Sequence, residues 1–246
     1  MKLVIFGANG QTGRLATALA LKAGHEVVAI TRRPREFPLA GPRLTVAQAD
    51  VRDAAAVRPV LTDADAVVST LGVTFTREPV DTYSLGTGNI VAAMRAVGTK
   101  RLVVVSSSAT YPTRRRRAPL TVRLVEPIIT RTIGKTVYDD MRRMESIVRD
   151  SGLDWTIVRP SGLFDLPEPS GYVSGEVDPV GGFTARVDLA DYLVSLAADT
   201  ATTRRTVIVS TTDNTPSLWE MIRREAGSHE SAGPASAAPP EFEQRR

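Results

Sequence analysis

Residues 1–13 read MKLVIFGANGQTG, and the rest of the chain is organised around them. Lys2 to Phe6 is an apolar run too short for a helix and of the right length for a buried strand. It runs into Gly7, Gly10 and Gly13, spaced G-x-x-G-x-x-G. Leu15 to Leu21 then has the composition of a helix, which Gly24 ends. Strand, glycine turn and helix in that order give a glycine motif the context of a dinucleotide site. Gly7 permits the sharp turn, Gly10 allows backbone to approach a pyrophosphate, and Gly13 lets helix and strand pack closely. The open N–H groups of the helix start attract phosphate. Gly7, Asn9, Gly10, Gln11, Thr12 and Gly13 are therefore candidate cofactor-binding residues.

The second strand, Glu26 to Thr31, ends in Arg32-Arg33. An NAD site usually places a carboxylate there to accept from the ribose hydroxyls. Two guanidinium groups suit a 2′-phosphate instead, so the position favours NADP(H). Val46 to Ala49 reads as a third strand, followed by Asp50 and Val51. These two are candidates for the adenine edge or plain turn residues. Asp53 is an expected N-cap for a helix over Ala54 to Leu61. A fourth strand, Asp65 to Thr70, closes in Thr70, Leu71 and Gly72, whose small residues suit close approach of a ribose. Thr82 to Val97 is an amphipathic helix with Leu85, Ile90, Val91 and Met94 on its apolar side.

Arg101 to Val105 is a fifth strand, followed by Ser106, Ser107 and Ser108. Prolines and an arginine run, Arg114 to Arg117, then interrupt the pattern. A stretch this long at a sheet edge is usually functional, so about 110–136 is expected to form a lid-like insertion over substrate. Val137 to Asp150 is a helix and Trp155 to Arg159 a sixth strand, left through Pro160, Ser161 and Gly162. Gly171 to Val177 reads as a small strand, Asp188 to Ala198 as a helix and Thr206 to Val209 as a last strand. Ser217 and Glu220 form a capping box for a helix over Leu218 to Ala226. Strands alternating with helices predict an α/β Rossmann-type fold, a doubly wound parallel sheet. It is expected to form a single domain over 1–227 with a disordered tail at 228–246, whose composition favours no packed core. Ligands in such sheets sit beyond the carboxyl ends of the strands, at the switch point. Every polar cluster above falls at such an end, including Ser106, Ser107, Pro160 and Ser161 as further cofactor candidates.

Composition narrows the chemistry. The 246 residues are 42% hydrophobic and 24% charged, with no cysteine and two histidines, His25 and His229. Thiolate chemistry and disulfides are excluded, and no metal site is expected. There is no apolar run of membrane-spanning length and no leader pattern, so no membrane association and a cytoplasmic location are expected. The net charge of +4 is partly the arginine run, which lacks the aromatic interleaving of a nucleic-acid platform. The expected partner is a small-molecule acceptor, with the protein a monomer or homodimer.

Taken together these segments resemble an atypical short-chain dehydrogenase/reductase of the NAD(P)H-binding, NmrA-like group, and within it the biliverdin-IXβ reductase and NADPH-dependent flavin reductase branch. The resemblance covers roughly 2–200. IFGANGQTG from Ile5, ITRRP from Ile30, GNIVAAM from Gly88 and Ser106–Ser108 carry it, with YDDMRRMESIVRDSGLDWTIVRP from Tyr138 and ARVDLADYL from Ala185. It implies NADP(H) with its 2′-phosphate at Arg32, and hydride transfer to a flat conjugated acceptor: a flavin, quinone, ketone or tetrapyrrole. Ser108 matches the group's active-site serine. Gly162 stands where the tetrapyrrole-reducing members carry a histidine. The wider family uses Tyr-x-x-x-Lys as a proton donor; Tyr138 and Arg142 have that spacing, making Tyr138 a second catalytic candidate. Adjacent Asp139 and Asp140 point to different sides of a helix and favour a capping role over a carboxylate pair. The alternatives are a cofactor-sensing NmrA-like regulator and an epimerase or dehydratase.

Overall fold

The computed structural model describes residues 1–111, 134–180 and 182–216. The expected lid therefore lies almost wholly, and the 218–226 helix and the tail wholly, outside the described residues. One compact unit spans Met1–Thr215.

Strand β1, Lys2–Phe6, is central, with β2 (Glu26–Thr31) on one side and β4 (Ala66–Ser69) on the other. Strand β3 (Leu44–Gln48) lies outside β2, and β5 (Arg101–Val105), β6 (Asp154–Pro160) and β10 (Arg205–Thr211) follow β4. All of these pair in parallel; β8 (Tyr172–Gly175) closes the edge antiparallel to β10. The order β3-β2-β1-β4-β5-β6-β10-β8 reverses direction at β1, which places the switch point between β1 and β4. A second sheet pairs two three-residue strands, β7 (Gly162–Phe164) and β9 (Phe183–Ala185). Too short to show a period, these two escape the sequence reading.

The continuous apolar strands follow from coverage of both faces. Val4, Phe6, Val28, Ile30, Val67, Leu102 and Val104 point to the side of α3 (Thr82–Val97) and α4 (Lys135–Arg149). Leu3, Ile5, Val27, Ala29, Val68 and Val103 point to the side of α1 (Gln11–Lys22) and α5 (Arg186–Ala198). Alternation within each strand thus feeds two cores, and a one-residue register slip would exchange them.

Three local details differ from expectation. Helix α2 (Ala54–Val57) stops short of Leu61, and Pro59 starts a separate 3-10 turn, because proline has no N–H to continue the ladder. Asp53 caps α2 as expected, accepting from Ala55 N at 2.9 Å. Leu85 is 42% exposed, not on the apolar side of α3, whose buried stripe runs through Tyr83, Gly86, Thr87, Ile90, Val91 and Met94. Asp140 does cap, but in another helix: fully buried on α4, it accepts from Tyr83 N at 2.8 Å and Ser84 N at 3.3 Å, at the start of α3.

Candidate active site

The glycine turn is built on Gly7, whose φ of +75° is costly for any residue with a Cβ. A Cβ there would also lie 2.6 Å from Thr70 O. Thr70 in turn fastens β4 to β1, its N and Oγ1 both donating to Phe6 O at 2.9 Å. Gly10 is the N-cap of α1 and carries no capping side chain, so the first N–H groups of the helix stay open toward any anion. Gly13 is packed so closely that a Cβ would meet Gly7 O and stand 2.8 Å from Ala8 Cα. Both are backbone and must move together. Gly13→Ala is therefore expected to abolish measurable NADPH binding and lower Tm, and calorimetry with a binding titration would show it.

A cleft of about 790 Å³ opens above this turn. Its described lining contains Gly7, Asn9, Gly10, Gln11 and Thr12 from the turn, and Arg32, Arg33, Asp50 and Val51 from the ends of β2 and β3. Thr70, Leu71 and Gly72 follow β4, and Ser106 follows β5. These expected residues, separated by up to 99 positions in sequence, thus share one cavity (7 to 106). Gly13 lies behind the turn. Ser107, Ser108, Tyr138, Pro160 and Ser161 are not among the lining residues. Ser107 Oγ accepts from Ala109 N at 3.2 Å and caps the 3-10 turn Ser108–Thr110. Ser161 N donates to Thr184 Oγ1 at 3.0 Å, and its hydroxyl is buried without a partner among the described residues.

The two arginines after β2 differ. Arg33 pairs with Glu36 at 3.0 Å, whereas the exposed Arg32 side chain has no ion pair among the described residues. Asp50 Oδ1 accepts from Arg52 N at 3.0 Å, and Arg52 pairs with Asp81 at 2.8 Å, tying the β3 loop to the start of α3. Asn89 Nδ2 donates to Val51 O at 2.8 Å and holds that loop from α3. Asn9 is oriented by Arg14, which donates twice to its Oδ1 at 3.0 and 2.8 Å. Its amide N–H groups are left for other partners.

Sequence reasoning missed several lining residues: Tyr83, Met141, Leu163 and Arg186. Tyr83 stands on the buried stripe of α3; burial pushes its hydroxyl up to about 12, and Val73 N donates to it at 3.2 Å. Ser106 is 3% exposed and its Oγ donates to Glu145 Oε1 at 2.6 Å. The Glu145 side chain is wholly buried on α4. Burial opposes its ionisation, but hydrogen bonds from Arg159, Ser106 and Arg149 outweigh that and hold its pKa below the ordinary value. Arg159 is bidentate, Nε to Oε1 at 3.0 Å and Nη2 to Oε2 at 2.5 Å, and it stacks 4.6 Å from the Tyr111 ring.

Tyr138 is 8% exposed, with its ring 5.8 Å from that of Phe75. Arg142 is committed elsewhere, donating to Thr110 O at 2.7 Å and Asp139 Oδ1 at 2.5 Å. Gly162 sits at the start of β7, where a Cβ would lie 3.2 Å from the Phe183 ring. Among the described residues no group of three or more histidine or acidic side chains could hold a metal, and no helix is long and apolar enough to cross a membrane.

Residues 7–200 match the family model described as NAD(P)H-binding. The chain belongs to the NAD(P)H-binding family. An uncharacterized protein of Mycobacterium tuberculosis is 31% identical over 165 residues, 67% of this chain, which spans only 15% of that relative's length. An uncharacterized sugar epimerase of Bacillus subtilis is 25% identical over 231 residues, covering 91% of this chain and all of that one. A (4-alkanoyl-5-oxo-2,5-dihydrofuran-3-yl)methyl phosphate reductase of Streptomyces griseus is 31% identical over 158 residues, 64% of this chain and 46% of that one. Among solved structures, a short-chain dehydrogenase/reductase from Veillonella parvula in complex with NADP superposes with a TM-score of 0.72 at 19% identity, covering 88% of this chain and 99% of that one. ChuY, an anaerobillin reductase from Escherichia coli O157:H7, gives 0.69 at 22% identity over 88% of this chain and all of the other. The fold is that of the short-chain dehydrogenases/reductases. The open helix start and the glycine cradle fit the NAD(P)H of the family.

Proposed function

We propose that the chain is an NADPH-dependent reductase that passes hydride to a small conjugated acceptor: a flavin, quinone, ketone or tetrapyrrole-like molecule. The observation that carries this reading is the length of the cleft. It runs from the glycine turn and Arg32 across the switch point to a further wall of Val105, Ser106, Met141 and Leu163. That wall lies beyond the phosphate-binding turn, and its Val105, Met141 and Leu163 side chains offer apolar surface for a flat ring. The named reductase activities of the Streptomyces griseus and Escherichia coli proteins support the same class.

Bound NADPH supplies the hydride. Gly7, Gly10, Gln11, Thr12 and Gly13 hold its pyrophosphate, with Asn9 beside them, and Arg32, aided by Arg33, holds its 2′-phosphate. Asp50 and Val51 border the adenine, Thr70 to Gly72 the ribose, and Ser106, Ser107, Pro160 and Ser161 the nicotinamide end. Ser106 directs its proton to ionised Glu145, so toward a ligand it can only accept. Ser108 is half-buried and its hydroxyl has no partner among the described residues. It is not among the described lining residues, so in this reading the acceptor extends past Ser106 to reach it, and Ser108 donates a hydrogen bond to the acceptor and relays a proton from solvent that completes reduction. Tyr138 is the weaker candidate, since Arg142 is tied to Thr110 O and Asp139. The same commitment of Arg142 disfavours the epimerase reading despite the Bacillus subtilis relative, because that chemistry draws on a Tyr-x-x-x-Lys pair.

The test is the loss of NADPH absorbance with FMN, menadione and biliverdin as acceptors. Steady turnover with at least one is expected, falling about 10²-fold in Ser108→Ala with little change in NADPH affinity. Tight NADPH binding with no turnover on any of the three would leave a cofactor-sensing regulator as the better account.

A further inference from the structure

Arg186 is not needed for any of the roles above, yet it lines the cleft. Among the described lining residues the charges are four arginines, Arg32, Arg33, Arg52 and Arg186, against one carboxylate, Asp50. The first three cluster at the ends of β2 and β3, on the adenosine side. Arg186 opens α5 directly after β9, which pairs with β7, the continuation of β6. From β2 to β6 the sheet crosses four strand spacings, roughly 19 Å at about 4.8 Å each. Arg186 therefore stands at the opposite end of the cleft from the 2′-phosphate arginines, with Leu163 as its lining neighbour.

Among the described residues its one ion-pair partner occupies little of it. Arg186 Nη1 meets Asp165 Oδ1 at 2.9 Å. The Arg186 side chain is 20% exposed while Asp165 is 70% exposed, so the carboxylate is largely solvated and readily displaced. A guanidinium offers five N–H donors in a planar fork, matched to an oxyanion. A pair whose carboxylate is 70% exposed contributes little to stability, so a purely architectural role leaves most of that capacity unused. The base of the side chain is firmly held, because Ala185 and Val187 on either side are buried at 0% and 3% exposure.

Building on the hydride-transfer reading, we infer that Arg186 is the anion subsite for the acceptor, whose substrates carry a phosphate or carboxylate that displaces Asp165. The unsaturated part of such an acceptor is left against Val105, Ser106, Met141 and Leu163. Arg186 is thus a specificity residue, and Asp165 a built-in competitor that lowers affinity for neutral and anionic acceptors unequally.

Matched probes separate this from the parent reading. FMN and riboflavin share one ring system and differ by a phosphate; lumiflavin-3-acetate and lumiflavin differ by a carboxylate. Flavin-fluorescence titrations on the full chain saturated with NADP⁺ should show the anionic member of at least one pair binding about 10-fold or more tightly than the neutral one. Arg186→Gln should bring that anionic flavin to the level of its neutral partner, with the neutral flavin and NADPH itself unchanged within about twofold. Asp165→Asn should tighten the anionic flavin several-fold. Equal affinities within both pairs in the unaltered chain would overturn the subsite. So would an Arg186→Gln chain that loses NADPH or weakens both members of a pair in parallel. These are binding measurements, so they stand whether or not an acceptor is reduced: absent turnover counts against the hydride reading, absent discrimination against the subsite.

Discussion

Replacing Glu145 with alanine should destabilise the fold by about 3–5 kcal/mol, the range for removing one partner of a buried ion pair. The carboxylate is wholly buried and gathers Ser106, Arg149 and Arg159 at 2.5–3.0 Å. Without it the Arg159 guanidinium, only 19% exposed, keeps its charge and loses both hydrogen bonds. Against the total of roughly 5–15 kcal/mol for a domain, that is a large fraction. For a unit of this size it lowers Tm by roughly 6–20 °C, which differential scanning calorimetry would register. Glu145→Gln keeps the shape and an acceptor for Ser106, so its loss should be clearly smaller. An alanine variant as stable as the unaltered chain would mean that the network is not formed.

The same group makes a pH prediction. Its folded pKa lies below the ordinary value of 4.5, so folding favours the ionised form. The stabilisation is complete above the unfolded pKa and is lost as pH falls through the lower folded one. Asp139 is shifted in the same direction by hydrogen bonds from Lys135 and Arg142, so wild-type stability alone would not isolate Glu145. The difference between the unaltered chain and Glu145→Gln does. It should be constant at neutral pH and shrink only in acid below about 4.5.

How much of this was legible in the sequence depends on the kind of signal. The seven parallel strands of the main sheet are rich in β-branched and apolar residues, and their carboxyl ends follow at once. The glycine turn and the Arg32 position therefore fall in one cleft on the sequence alone. Glu145 was hidden because the inward face of YDDMRRMESIVRD is read from Met141, Met144, Ile147 and Val148, and one glutamate among so many charged residues carries no mark of burial. The sign that would have found it is spacing: Met141, Glu145 and Val148 stand at i, i+4 and i+7, on one buried face. Asp140 follows the same rule with Val137 and Met144. Arg186 was hidden for a different reason. It becomes a cleft residue only through the three-residue strands β7 and β9, and such short pairings leave no period to read.

Arg32→Ala should weaken NADPH by about 10–100-fold while leaving NADH within about twofold, since the two cofactors differ only in the 2′-phosphate. The asymmetry between the two neighbouring arginines sharpens this. Arg33 is partly engaged by Glu36 at 3.0 Å, so Arg33→Ala should cost less than Arg32→Ala. Removing the competitor should do the opposite: Glu36→Gln releases Arg33 and should tighten NADPH modestly. Both arginines are exposed, and the contacts are therefore screened by salt, so the ratio of the two affinities should narrow as ionic strength rises. Fluorescence titration of NADPH and NADH against the three variants at low and high salt would read all of this. Parallel weakening of both cofactors in Arg32→Ala would place the arginine on a part of the dinucleotide they share, and the discrimination would have to be sought elsewhere in the cleft. A change confined to NADPH fixes the direction in which the dinucleotide lies, with its adenosine at β2, and so leaves the β6 end, where Leu163 and Arg186 stand, for the acceptor.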